Sequence, residues 1–270
     1  MKPTPIIDAH THIFPVKIAA KAVGAIGEFY GIPMRHEGTS ERLLASGGAI
    51  GVRRYLVCST ATRGDQTRSI NDFIHAACAA HPEFYGFGTL HPDTDKPLEE
   101  LERIVSLGLH GVKLHPDFQQ FNIDDSRMIG LYRRMAALRL PVLFHTGDDR
   151  YDYSNPARLA RVCEQVDGFV CIAAHFGGYS AWDVALEALR GVDGVYFDTS
   201  SSLFKLPAEQ AREMIDQLGA DRFFFGTDFP MWDHREELAR FEALGLDEPV
   251  RRAILYENFV RTFHLPSWDV

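Results

Sequence analysis

Near its start the chain reads Ile6-Ile7-Asp8-Ala9-His10-Thr11-His12, a short apolar run that ends in two histidines. Four later runs have the same form, with a histidine or an aspartate at or just after their end: 111–115, 142–145, 172–175 and 223–228. Short, nearly continuous apolar runs are typical of parallel strands that are buried on both faces. A β/α barrel carries its chemistry on polar side chains at the carboxyl ends of such strands. The pattern therefore predicts an α/β protein with a functional site at those ends.

The whole chain alternates between candidate strands and amphipathic helical segments. The strands are expected at 6–10, 54–58, 84–90, 111–115, 141–145, 169–174, 194–198 and 222–226. Eight strand–helix units in about 250 residues are the size of a (β/α)8 TIM barrel, so we expect a single such domain over residues 1–270. The long connection after the first strand, at about 13–52, is expected to hold a short helix at 17–29 and otherwise to cover the mouth as a lid. A last helix is expected at 249–263. An open doubly wound sheet is the alternative, but ligands from strands one, four, five, six and eight converge more naturally in a closed barrel.

Composition and charge exclude several functional classes. The chain has 270 residues, 46% of them hydrophobic, and a formal net charge of −9, without the basic stripe of a nucleic-acid-binding surface. Its four cysteines show no CxxC spacing, so neither a disulfide framework nor a thiolate zinc site is indicated. No secretory signal and no apolar run of about twenty residues is evident. We therefore expect a cytoplasmic protein without nucleic-acid or membrane partners.

The strand-end histidines point to a metal site. With a strand period of two, His10 and His12 face the same side and can chelate one ion, although an isolated pair of this spacing is a weak signal. His145 and His175 each end an apolar run with a glycine soon after. Asp228 follows the eighth strand, which lies beside the first strand in a barrel. Its carboxylate can therefore reach an ion held by His10 and His12. The alternative role of Asp228 is to cap the following helix.

Taken together, these motifs resemble the metal-dependent amidohydrolase superfamily, in particular the branch similar to aminocarboxymuconate-semialdehyde decarboxylase. The resemblance extends from Asp8-Ala9-His10-Thr11-His12 to Gly226-Thr227-Asp228-Phe229-Pro230. It implies a set of metal ligands, namely His10, His12, His145 and Asp228. It further implies that His175 is the general acid/base, and Asp228 would carry a proton to the leaving group. One divalent ion is expected, zinc first, with manganese and iron as alternatives.

Three further polar residues at strand ends have open roles. Lys113 could be a carboxylated lysine that bridges two ions, but we favour a buried ion pair below the site, with Asp8 as a partner. His115 is interpreted as a substrate contact, with a structural role or an additional metal ligand as alternatives. Asp198 either orients a ligand through a hydrogen bond or orders a loop.

Residues near the expected mouth suggest a small organic acid as the substrate. Arg63 and Arg150 follow the second and fifth strands, where a guanidinium could bind a carboxylate; ordinary exposed arginines are the alternative. Trp232 belongs to a group of aromatic residues that would line a pocket for a planar or partly apolar molecule.

Together these features predict a metal-dependent hydrolase in which a metal-activated water attacks an ester, lactone or amide of a small organic acid. The alternative is a nonoxidative decarboxylase of a small unsaturated or aromatic acid on the same scaffold. A non-catalytic ligand-binding barrel is a third hypothesis. A homodimer is compatible with all three, but no surface patch can be identified from the sequence.

Overall fold

A computed structural model describes residues 4–266. Its strands are β1 (Ile6–His12), β2 (Val52–Cys58), β3 (Phe84–Gly86), β4 (Gly88–Thr89), β5 (Val112–Leu114), β6 (Val142–Phe144), β7 (Cys171–Ala173), β8 (Val195–Asp198) and β9 (Phe223–Phe224). Its helices are α1 (Val16–Tyr30), α2 (Ser40–Gly48), α3 (Thr67–Ala80), α4 (Pro97–Ser106), α5 (Pro116–Gln119), α6 (Ser126–Ala137), α7 (Pro156–Gln165), α8 (Trp182–Leu189), α9 (Ala208–Leu218), α10 (His234–Glu242), α11 (Glu248–Arg252) and α12 (Asn258–Thr262). None of the helices among these residues combines the length and the apolar character that a membrane span needs.

The chain forms two compact units. The first contains the residues up to Val57 together with those from Asp198 onward, and the second contains Cys58–Phe197.

In the first unit, β1 lies beside β2 and is bonded on its other side to the segment after β9. The amide of Ala9 donates to the carbonyl of Phe225 over 2.8 Å, and the amide of Asp228 donates to the carbonyl of His10 over 2.8 Å. The amide of His12 donates to the carbonyl of Phe229 over 2.7 Å. These main-chain bonds bring Asp228 alongside the two histidines of β1.

The strand at β9 is shorter than the predicted 222–226. The amide of Phe225 donates to the carbonyl of Ile254 instead of to a neighbouring strand. Ile254 lies in a π-helical turn, Ala253–Glu257, which joins α11 to α12 where a single helix over 249–263 was predicted. A wider turn of this kind exposes main-chain groups that an α-helix would pair internally.

In the second unit, β4 to β8 form a parallel sheet in sequence order. Val112, Val142 and Cys171 lie in register as the first residues of their strands. Every residue of β5, β6 and β7 is buried, as the continuous apolar runs predict. Parallel pairing in this register puts the residues that follow the strands at the same edge of the sheet.

The predicted strand at 84–90 is interrupted at Phe87. The side-chain amide of Asn71, on α3, accepts from the amide of Thr89 over 2.7 Å and donates to its carbonyl over 3.1 Å. A side chain thus occupies the main-chain groups that a longer strand would offer to a neighbour. A Cβ at Gly88 would lie only 2.9 Å from Oδ1 of Asn71, so this close approach requires glycine.

The long connection at 13–52 contains two helices, where one short helix was predicted. α1 extends the expected segment by one residue at each end. α2 begins after Thr39, whose hydroxyl accepts from the amide of Arg42 over 3.4 Å. Most of this connection is therefore helical and not an open loop.

Candidate metal centre

Three predicted ligands meet in the first unit. The Nε2 atoms of His10 and His12 lie 3.2 Å apart, as the alternation of side chains along β1 predicts. Oδ1 of Asp228 lies 3.2 Å from Nε2 of His12 and 3.7 Å from Nε2 of His10. The ring of His10 is fully buried, and the side chains of His12 and Asp228 are nearly so. The donor atoms of the three residues face one another.

These distances fit a divalent metal ion. Ligand atoms about 2.1 Å from one ion, at tetrahedral angles, lie about 3.4 Å from each other. The three distances between the donor atoms, 3.2 to 3.7 Å, bracket that separation. Two imidazoles and a carboxylate are also donors that zinc, manganese and iron accept. The residues present can therefore hold such an ion.

His10 is oriented by a buried carboxylate. Oδ2 of Asp198 accepts from Nδ1 of His10 over 2.9 Å, and the hydroxyl of Ser200 donates to Oδ1 of Asp198 over 2.5 Å. Because the carboxylate requires a proton on Nδ1, Nε2 of the neutral ring keeps its lone pair. A Cβ at Gly226 would lie 3.2 Å from the Cβ of His10 and 3.3 Å from that of Asp198, so glycine leaves room for this pair.

The second oxygen of Asp228 is held by a chain of two hydrogen bonds that the sequence analysis missed. The hydroxyl of Ser201 donates to Oδ2 of Asp228 over 2.5 Å, and Nε1 of Trp232 donates to that hydroxyl over 2.9 Å. Since the indole can only donate, the serine proton must point to the carboxylate. Trp232, predicted as a substrate contact, is buried and supports a predicted metal ligand through Ser201.

The second unit gathers three predicted histidines. Nδ1 of His145 and Nε2 of His175 lie 3.0 Å apart. The ring of His115 stacks on that of His145, with centroids 4.0 Å apart and planes 5° from parallel. All three are buried beyond the ends of β5, β6 and β7. His175 adopts φ +62°, and its carbonyl accepts from Nε1 of Trp182 over 3.1 Å.

A carboxylate that the sequence analysis missed lies behind His145. Oδ2 of Asp117 is 3.5 Å from Nε2 of His145 and accepts from the hydroxyl of Ser154 over 2.6 Å. Burial, helped by the nearby carboxylate of Asp148, raises the pKa of Asp117 to about 7 against the opposing effect of the hydrogen bond from Ser154. Its position two residues after a strand-end histidine, in His115-Pro116-Asp117, was the available signal.

Two other predicted residues lie elsewhere within the second unit. Lys113 is buried on β5, and its pairing with Asp8 stays a prediction. The guanidinium of Arg63 is largely exposed and bonds to both carboxylate oxygens of Asp65, each over 3.0 Å.

Comparison with known proteins identifies the family. The model of the amidohydrolase family matches residues 7–265. The chain belongs to the amidohydrolase family. The resemblance found in the sequence is thereby confirmed, and the protein is an enzyme of the amidohydrolase superfamily. The comparison with curated protein sequences gave no match.

Solved structures similar to this amidohydrolase show its fold. An uncharacterised TIM-barrel protein from Bordetella bronchiseptica is 21% identical with a TM-score of 0.79, covering 97% of this chain and 99% of its own. A 5-carboxyvanillate decarboxylase from Sphingomonas paucimobilis is 16% identical with a TM-score of 0.78, covering 98% and 100%. A protein provisionally described as a 2-pyrone-4,6-dicarboxylic acid hydrolase, from Pseudomonas putida, is 17% identical with a TM-score of 0.70, covering 98% and 100%. The predicted (β/α)8 barrel is confirmed.

Proposed function

We propose that this amidohydrolase is a metal-dependent, nonoxidative decarboxylase of a small unsaturated or aromatic acid. The observation that carries the proposal is the environment of Asp228, whose Oδ2 already accepts a short hydrogen bond from Ser201. The sequence motifs alone favour hydrolysis, in which that aspartate would move a proton from water to the leaving group. A carboxylate with one oxygen tied to a buried serine and the other facing two histidines is better suited to hold an ion than to move a proton.

The ligands of the ion would be His10, His12, His145 and Asp228. Three of these donors converge in the first unit, at distances that suit a shared ion. His145 joins them in the proposal because the carboxyl ends of all strands open on one face of a TIM barrel. Zinc is the first candidate, with manganese or iron as alternatives. A divalent ion bound there supplies a Lewis acid that draws negative charge toward the oxygens of a bound acid.

His175 would provide the proton that decarboxylation needs. When the bond between the substrate carbon and its carboxylate breaks, the electron pair stays on the carbon and carbon dioxide leaves. The imidazolium of His175 then donates its proton to that carbon and regains a proton from water, so one proton is consumed per turnover. An imidazole is suited to this role because its ordinary pKa of about 6.5 is close to neutrality.

Three residues are proposed to contact the substrate. Trp232 and His115 are buried aromatic groups next to predicted ligands, which suits a planar substrate. Arg63 could bind a substrate carboxylate in place of its exposed pair with Asp65. Hydrolysis of a small ester, lactone or amide is the second candidate function, because each carboxylate oxygen of Asp228 has two lone pairs and the second one on Oδ2 could still accept a proton.

Isotope tracing separates the two reactions. The metal-loaded enzyme is incubated with a panel of aromatic and unsaturated acids, esters and lactones in heavy-oxygen water, and in parallel in deuterium oxide. Decarboxylation releases carbon dioxide and places one solvent deuterium on the product carbon, without heavy oxygen in the organic product. Incorporation of heavy oxygen without carbon dioxide would instead establish the hydrolase.

His175→Asn is expected to lower kcat by about 100-fold or more, because it removes the proton donor. His75→Asn is the matched control, since His75 lies on the exposed side of α3 and bonds to the carbonyl of Leu107. Unchanged turnover in His175→Asn would refute the assigned proton donor. If the protein binds no divalent ion at all, the catalytic proposal fails and a ligand-binding barrel becomes the better description.

A further inference from the structure

The buried carboxylate behind His10 belongs to an arrangement of three residues. Asp198 accepts from the ring nitrogen of His10 that faces away from His12, and Ser200 donates to Asp198. Histidines that bind metals usually donate their second ring N–H to such a partner, which fixes the tautomer and the direction of the ring. In this unit the ligand, the carboxylate and the serine are all fully buried.

The second unit contains the same three residue types in the same order of contact. Oδ2 of Asp117 lies 3.5 Å from Nε2 of His145, and Ser154 donates to that oxygen over 2.6 Å. The other ring nitrogen of His145, Nδ1, faces Nε2 of His175 at 3.0 Å. Each proposed ligand histidine thus has an aspartate behind its ring, and a serine donates to that aspartate. The two arrangements come from unrelated loops.

We infer that Asp117 is a positioning residue that holds His145 with its Nε2 proton toward the carboxylate and its Nδ1 lone pair toward the metal site. This inference rests on the proposed function, since it assumes that His145 is a ligand. A neutral imidazole has one N–H and one lone pair, so a carboxylate behind Nε2 leaves Nδ1 as the donor atom for a metal. Ser154 holds the carboxylate so that it faces the ring.

The environment of Asp117 supports a functional reason for this residue. Its side chain is fully buried, and Oδ1 has no hydrogen-bond partner among residues 4–266. A buried carboxylate oxygen without a donor destabilises the fold, and most native carboxylates avoid that situation. A position that served packing alone would be filled better by an apolar or amide side chain.

A second metal site at His115, Asp117 and His145 is the competing interpretation, because their ligand atoms lie within 4.8 Å of one another. The stacking of the two rings argues against it. Imidazole lone pairs lie in the ring plane, and two planes 5° from parallel with centroids 4.0 Å apart cannot direct their lone pairs at one ion. Asp117 therefore acts through His145 and does not bind an ion of its own.

The test compares Asp117→Asn with a matched control, Asp124→Asn. Both replace a carboxylate by an amide of the same shape, but Asp124 is paired with Arg158 and Arg161. Affinity for zinc and for manganese is measured by competition with a chelator. We expect Asp117→Asn to bind about 10–100-fold more weakly than wild type, and the control to match wild type within twofold. Ser154→Ala leaves the carboxylate in place and is expected to weaken binding in the same direction but less.

Nitrogen NMR of histidine-labelled, metal-free protein provides a readout that does not depend on activity or metal. We expect His145 to be the Nε2–H tautomer in the wild type and in Asp124→Asn. In Asp117→Asn this preference should be lost or reduced. An unchanged tautomer together with unchanged metal affinity in Asp117→Asn overturns the inference. Loss of a second equivalent of metal in Asp117→Asn overturns it in favour of a second site. If the wild type binds no metal but shows the expected tautomer shift, the proposed function fails while the positioning role stands.

Discussion

Replacing Ser201 by alanine should destabilise the protein in a way that can be calculated from two hydrogen bonds. The substitution removes the 2.5 Å bond to Oδ2 of Asp228 and leaves Nε1 of Trp232 without its acceptor. A buried hydrogen bond to a charged group contributes about 1.5–3 kcal/mol, so we expect a loss of about 2–3 kcal/mol. With an unfolding entropy of about 2.1 cal/mol/K per residue, a chain of 270 residues loses about 4–5 °C in Tm.

A double-mutant cycle with Trp232→Phe tests whether the two bonds form one chain. Once Ser201 is absent, the indole N–H has already lost its partner, so the double variant should be about 1 kcal/mol more stable than the sum of the single losses predicts. Thermal unfolding of metal-free protein measures all four species, with Ser106→Ala on the exposed end of α4 as the control. A loss below 1 °C for Ser201→Ala, or fully additive losses, would refute the reasoning about Asp228.

Three further outcomes are expected. Gly226→Ala should weaken metal binding about 10-fold or more, measured by chelator competition, because a new Cβ 3.2 Å from that of His10 must displace the ring; affinity equal to wild type would contradict this. Burial raises the pKa of Glu237 to about 8 against the opposing charge of Arg240, so the folded state holds a proton that the unfolded state releases above about pH 4.5. Stability should therefore fall by up to about 1.4 kcal/mol per pH unit between pH 4.5 and 8, and urea unfolding should show a flatter profile for Glu237→Gln. Arg63→Ala should raise KM for an anionic substrate without changing Tm if that arginine binds the carboxylate, and an unchanged KM would remove it from the site.

The functional residues at the ends of strands could be predicted most successfully. His10 and His12 were expected on one side of a strand, and their Nε2 atoms lie 3.2 Å apart. Asp228 was expected to reach them, and its Oδ1 lies 3.2 Å from His12. The first prediction rests on the alternation of side chains along a strand, and the second rests on barrel closure, which puts the last strand beside the first.

The groups behind the ligands could not be predicted in the same way. Ser201 lies 27 residues before Asp228 in the chain, and Ser154 lies 37 residues after Asp117. Serine is common in loops and carries no periodic signal, so its choice of partner depends on how two loops pack. Asp198 was predicted in part: a hydrogen bond to a ligand was one of its two expected roles, but only the structure showed that the ligand is His10.

The amino-acid sequence by itself determined the family, the barrel and the positions of the candidate ligands. These depend on apolar runs, strand alternation and the order of motifs, which are visible along the chain without knowledge of how it folds. The tertiary structure decided which atoms of those residues face one another, which loops become helices, and which carboxylates and serines hold the ligands. The carboxylate that orients His10 comes from a residue 188 positions away, and only the folded chain brings such partners within hydrogen-bonding distance.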